Sequence, residues 1–152
     1  MDPNDPTPAL HRAPVTPAAA RRDLALLSNR RYTTFVTDAG TGRSSFGPYA
    51  LTRWSPDPTR DADGFFVYVQ DLDRGTCWSA TRRPCGRAEQ AAVRFDPGRV
   101  TFVRRDDGVE TRLEVCVADD DVELRRVTLV NHDAAPRRLR VTSYAEVVLH
   151  DP

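Results

Sequence analysis

The chain has 152 residues, and its 22 basic side chains, all arginine, balance 22 acidic ones to a formal net charge of zero. That length fits one domain of common size with a real core and leaves no room for a second full domain. The balance excludes the one-signed field that draws a protein to nucleic acid or an anionic membrane, and neither is expected as a partner.

Residues 1–22 are dense in Pro, Ala and Thr with few large apolar side chains, too little to offset the entropy of ordering, and read as a flexible, disordered lead-in. Residues 23–152 read as the folded domain. The stretch DLALLS fits either a turn of helix or an extended entry, because Leu24, Leu26 and Leu27 suit both periods. From Tyr32 onward strand signals dominate: YTTFVTD, YALTRW and FFVYVQD are short, rich in aromatic and β-branched residues, and bounded by Gly, Pro or Asp. In FDPGR, Pro97 and Gly98 stand where a type II turn wants them. Asp107-Gly108 then supplies the positive φ angles of a tight two-residue hairpin turn. In the arm that follows, Val109, Thr111, Leu113, Val115 and Val117 point one way and Glu110, Arg112, Glu114 and Cys116 the other, one face buried and one wet.

The last segment, DVELRRVTLVNHDAAPRRLRVTSYAEVVL, reads as two strands folded back over a polar corner at Asn131–Pro136. Leu139, Val141, Ser143, Ala145, Val147 and Leu149 share one parity, as in a single long strand with one core face. In its partner Val122 and Leu124 share a parity opposite to that of Val127 and Leu129, which predicts a β-bulge or a strand covered on both faces. Roughly eight short strands at near-regular spacing predict an all-β, antiparallel sandwich.

No apolar run approaches the length of a membrane span, and Asp2 and Asp5 stand where a basic export leader would begin, so a cytoplasmic protein is expected. Cys77, Cys85 and Cys116 form no CxxC pair and have no nearby histidine, which argues against zinc. A Cys77–Cys85 bridge could span the intervening loop, but reduced thiols fit a reducing compartment better. Asp106-Asp107 and Asp119–Asp121 fall in turns, where aspartate caps backbone amides; the second cluster lacks the alternating ligand loop of a calcium site. His11, His132 and His150 are scattered, and no nucleophile elbow, zinc helix or phosphate loop occurs, so neither metal nor cofactor is expected. The stretch TDAGTGRSSFGPYALTRW is different. Gly40, Gly42 and Gly47 permit close backbone approach, Arg43, Ser44, Ser45 and Arg53 offer donors, and Trp54 a flat apolar face, the mixture a sugar requires. Arg43, Ser44, Arg53 and Trp54 are therefore the candidate substrate-binding residues, with a glycine turn and a core tryptophan as the plainer reading of the same stretch.

The order and spacing of LLSN with RY, TDAG, ALTRW with DPTRD, FVYVQDLDRGTCWSAT, RFDPGRVTFVRRDDGVETRLEV, VELRRVTLVNH and SYAEVVL together resemble the N-terminal β-sandwich of the family-94 carbohydrate phosphorylases, also classed with glycosyltransferase family 36. The likeness is greatest to the phosphorylase-like portion of cyclic β-1,2-glucan synthases and runs from Leu26 to Leu149. It implies part of a super-sandwich of galactose-mutarotase-like fold, which in relatives supports dimerisation and lends a loop to an active site built on a separate (α/α)₆ barrel. The general acid and phosphate site belong to that barrel, none of which is in this chain. The expectation is a non-catalytic carbohydrate-binding sandwich fragment, incomplete relative to the family, that supports β-glucan binding or assembly. The alternatives are an oligomerisation module without ligand, or one component of a split phosphorylase that pairs with a catalytic barrel chain. Two departures weaken transfer of a sugar-contact role. DAGTGRSS sets Arg43 where relatives carry an aromatic, and LLSNRRY sets Arg30 where they carry glycine, which predicts a different turn there.

Overall fold

The computed structural model describes residues 23–55, 62–85 and 88–150, the last without its side chain. The expected lead-in at 1–22 lies outside these. Among the described residues there is no helix, and none therefore long and apolar enough to cross a membrane. Among the described residues there are twelve strands, more than the roughly eight expected, because the short segments Leu24–Ser28 (β1), Gly42–Phe46 (β3) and Cys77–Ser79 (β6) are also extended and the last expected strand is two. The others are Tyr32–Thr37 (β2), Tyr49–Thr52 (β4), Phe66–Asp71 (β5), Gln90–Asp96 (β7), Arg99–Asp106 (β8), Val109–Ala118 (β9), Val122–Asn131 (β10), Leu139–Tyr144 (β11) and Val147–His150 (β12).

All pairings are antiparallel. One sheet runs β1-β2-β3-β4-β12, a second β10-β9-β8-β7 and a third β11-β5-β6. The four-stranded sheet covers the other two with one face. Phe102, Leu113 and Val115 pack against Leu27 and Val36 of the five-stranded sheet and Val67 of the three-stranded one. Val109 of the same face meets Val69 and Trp78 in a second cluster. Burial of these side chains, each worth about 1.5–3 kcal/mol of transfer free energy, is what holds the sandwich closed. Trp78 belongs to the core, its indole N–H donating to Thr111 Oγ1 at 3.0 Å.

The hairpins follow their turn residues. Asp107 and Gly108 take φ of 48° and 79° and join β8 to β9 with Asp106 opposite Val109. Pro97-Gly98, with Gly98 at φ 74°, joins β7 to β8. The expected alternation in β9 holds, with Val109, Thr111, Leu113 and Val115 all fully buried.

Two expectations fail. First, β10 has no bulge: its register with β9 is unbroken from Val122–Ala118 to Asn131–Val109. The inward positions are Glu123, Arg125, Val127 and Leu129, while Val122 and Leu124 face outward at 44% and 49% exposure. Second, the segment after the corner does not fold back on β10, nor is it one strand. β11 pairs with β5, and after Ala145-Glu146 the chain crosses to the five-stranded sheet, where β12 pairs with β4. The corner itself is tied down by Arg137, whose side chain is 4% exposed and donates to Asp71 and Asp133 and to the carbonyl of Asp107. Burial pushes the Asp71 carboxyl up, but the amide of Arg74, the Arg137 guanidinium and the amide of Asp73 outweigh it and hold the group below the usual carboxylate range.

Candidate functional site

The stretch from Thr37 to Trp54 folds as the β2-β3-β4 meander, and strand alternation divides its candidates between two faces. Ser44 points inward and is buried, at 3% exposure. Its amide donates to Thr52 Oγ1 at 2.9 Å and its hydroxyl to Glu123 at 2.5 Å, so its donor capacity is used within the protein. Arg43 lies on the opposite face, half-buried and in register with Phe35 of β2. Phe35 in turn meets Trp54 edge-on, with ring centroids 4.7 Å apart and planes at 86°. Arg53 is exposed and pairs with Glu146 at 3.2 Å. The fold thus gathers Arg43 and Trp54 around Phe35 and leaves Ser44 on the far side of the sheet. Phe35 was not among the expected site residues; only the β2-β3 pairing, which no local pattern reveals, sets it across from Arg43.

The glycines of this stretch serve the chain's own packing. A Cβ at Gly42 would stand 2.0 Å from the carbonyl oxygen of Phe35, and one at Gly40 would stand 2.2 Å from Thr81 Cβ. Gly47 borders open space in the turn to β4.

The inner face carries a second group of side chains that sequence reasoning missed. Glu123 and Arg125, on β10, project into the gap between the four- and five-stranded sheets. Glu123 accepts from Ser44, from Tyr32 Oη at 3.1 Å and from Arg125 Nε at 2.6 Å. Arg125 also donates to the carbonyl of Phe65 at 2.9 Å and sits over its ring, 4.7 Å from the centroid. Burial, and then the charge of Glu123, push the Tyr32 phenol up to about 12. These groups form the polar end of an open cleft of about 610 Å³, the rest of which is lined by apolar side chains such as Leu51, Phe65, Val122 and Val147. The only hint in sequence was the parity break in VELRRVTLV.

The polar end is a closed set of donors and acceptors. The Glu123 carboxylate is engaged by a guanidinium and two hydroxyls of the protein itself. Among the described residues no three His, Cys, Asp or Glu side chains converge as a metal site would need. Asp121, in the turn from β9 to β10, accepts from Asn29 Nδ2 at 2.9 Å and pairs with Arg31 at 3.1 Å. The Asn29 side chain also accepts from the amides of Arg31 and Tyr32, and Arg30 keeps φ at 84°, so the β1-β2 turn has the left-handed form that glycine prefers in place of the different turn expected for arginine.

Comparison with known proteins adds two findings. The model of a family described as glycosyl hydrolase 94, supersandwich domain, matches residues 8–152. Over 130 residues the chain is 38% identical to the cyclic beta-(1,2)-glucan synthase NdvB of Rhizobium meliloti (strain 1021), an alignment covering 84% of this chain. The chain spans 5% of the length of that relative.

Proposed function

The chain belongs to the glycosyl hydrolase 94 supersandwich family, and on that footing we propose that it acts as a non-catalytic, carbohydrate-binding sandwich that supports β-glucan binding in a glucan synthase or phosphorylase-like protein. The observation that carries this reading is the Phe35–Trp54 pair with Arg43 beside it on the outer face of the five-stranded sheet. An indole held edge-on by a second ring keeps one orientation, which lowers the entropy lost when a pyranose C–H face stacks on it. Arg43 supplies a planar donor for hydroxyls beside it.

Titration with β-1,2-glucan tests this. The emission of Trp54 is expected to quench or shift on saturation, and Trp54→Ala to abolish the response, while buried Trp78 stays constant as an internal reference. A flat titration of the unmodified chain at millimolar glucan overturns glucan binding. The non-catalytic part has its own test: incubation with β-glucan oligosaccharides and phosphate is expected to release no glucose 1-phosphate.

A second reading, assembly with another copy or with a catalytic barrel chain, is favoured by a separate observation. Val141 and Tyr144 of β11 and Val147 and Leu149 of β12 are 48–69% exposed, on strands at the ends of their sheets. Unpaired strand edges beside apolar surface are a template for pairing. Light scattering across a concentration series is expected to show a species larger than the monomer, reverted by Val147→Lys; a monomer at every concentration rejects self-assembly.

A further inference from the structure

The β6 strand and the segment after it bring two thiols together. Cys77 is exposed on β6, and Cys85, eight positions on, is held alongside that strand by three hydrogen bonds to Ser79. The amide of Ser79 donates to the Cys85 carbonyl at 3.1 Å, its hydroxyl to the same carbonyl at 2.8 Å, and the Cys85 amide donates to Ser79 Oγ at 3.3 Å. Ser79 and Cys77 are two apart on one strand and share a face, so the clamp at Ser79 holds Cys85 beside that face, near enough for Cys77 to raise its thiol. Both are free thiols, and Cys116 lies elsewhere, on β9 opposite Leu124.

The segment between them is also a bearing surface. Thr81 accepts from Arg104 and Ser79 through its carbonyl, its side chain fills the space beside Gly40, and the amide of Arg83 donates to the carbonyl of Ala39 at 2.9 Å. The turn that launches β3 therefore rests on the 80–85 segment.

We propose that Cys77 and Cys85 form a reversible dithiol–disulfide site, oxidised by a small-molecule disulfide such as that of glutathione, whose closure clamps the 80–85 segment to β6. The thiolate of exposed Cys77 attacks one sulfur of glutathione disulfide and expels a glutathione thiolate, which takes up a proton. Cys85 then loses its proton to solvent and attacks the Cys77 sulfur, expelling the second glutathione. Two thiols are oxidised and one disulfide is reduced to two glutathione molecules. Burial, followed by the proximity of Cys77, raises the Cys85 thiol, so the closing step accelerates as pH rises.

The chain is equilibrated with glutathione disulfide in excess, quenched with N-ethylmaleimide under denaturing conditions, and mapped by peptide mass. The expected result is a Cys77–Cys85 cross-link with Cys116 alkylated, reversal by reduced glutathione, and a Tm higher by roughly 5–10 °C in the oxidised form, the size a short closed loop gives. In Cys77→Ser the cross-link disappears and the Tm no longer responds. Separate glutathione adducts on the two residues, pairing with Cys116, or no reaction overturns the site. A cross-link that leaves Tm unchanged or lowers it overturns the clamp.

Discussion

Glu123, on an edge strand of the four-stranded sheet, accepts a 2.5 Å hydrogen bond from Ser44, on the third strand of the five-stranded sheet. The bond crosses the sandwich at its open side, and the carboxylate is neutralised by Arg125, with side chains 7% and 10% exposed respectively. Removing one member leaves an uncompensated charge in a poorly hydrated place, the costly way to break a buried pair. Glu123→Ala is expected to lower stability by about 3 kcal/mol in urea unfolding, with the slope m unchanged. Glu123→Leu combined with Arg125→Met should recover more than half of that loss. A single-variant loss under about 0.5 kcal/mol would show that the pair is solvated, as surface pairs are.

Burial, and after it the same carboxylate, ties alkaline stability to Tyr32. Its folded pKa, about 12, exceeds the ordinary value of 10.0, so between those values the unfolded chain releases a proton that the folded one keeps. Stability from this group is whole below pH 10 and declines as pH rises towards 12. Tyr32→Phe is expected to flatten the decline, read as urea midpoints at stepped pH. Glu123→Gln should reduce it only in part, because burial, which it leaves in place, is the larger cause. Equal slopes in all three proteins would reject the assignment.

Arg30 holds φ at 84° in the turn between β1 and β2, where the Asn29 side chain caps the amides of Arg31 and Tyr32 and fixes the backbone. A non-glycine residue there costs about 1–2 kcal/mol, of which glycine's freedom in the unfolded chain returns part. Arg30→Gly should raise stability by about 0.5–1 kcal/mol, measured by thermal and urea unfolding together. A loss would mean that the arginine side chain contributes more than its backbone strain.

The all-β class, the β8-β9 and β7-β8 hairpins and the faces of β9 were legible because each rests on local chemistry: alternation, Asp-Gly and Pro-Gly. The split at Ala145-Glu146 was not. Leu139, Val141, Val147 and Leu149 keep one parity through it, and parity carries no information about which sheet a strand joins. In β10 the pattern misled, since Glu123 and Arg125 took inward positions and satisfied each other there, turning Val122 and Leu124 outward. Inward charges on an edge strand discourage pairing with other chains, a pressure that hydrophobic patterning does not express. Of the four residues expected to bind substrate, Trp54 is one half of an aromatic pair with Phe35 and Arg43 stands opposite Phe35, whereas Arg53 pairs with Glu146 and Ser44 lies on the other face for the simple reason that it is next to Arg43 in a strand.

Glycine substitution separates the structural from the ligand-binding reading of the Thr37–Trp54 stretch. The Cβ of Gly42→Ala would meet backbone, the Phe35 carbonyl oxygen at 2.0 Å, which no side-chain rotation relieves. Stability should drop by about 3 kcal/mol or more, and with it the yield of folded protein. Gly47 meets nothing within 4 Å of an added Cβ, and only its φ of 53° opposes alanine, at a cost of about 1 kcal/mol. If Gly47 served to admit a sugar towards the sheet, Gly47→Ala would weaken β-1,2-glucan binding beyond its effect on folding. The expected result is the reverse: an unchanged titration midpoint in Gly47→Ala at a temperature well below its Tm, and loss of the fluorescence response in Trp54→Ala. A midpoint raised tenfold in Gly47→Ala would move the sugar contact from the Phe35–Trp54 pair to the turn between β3 and β4.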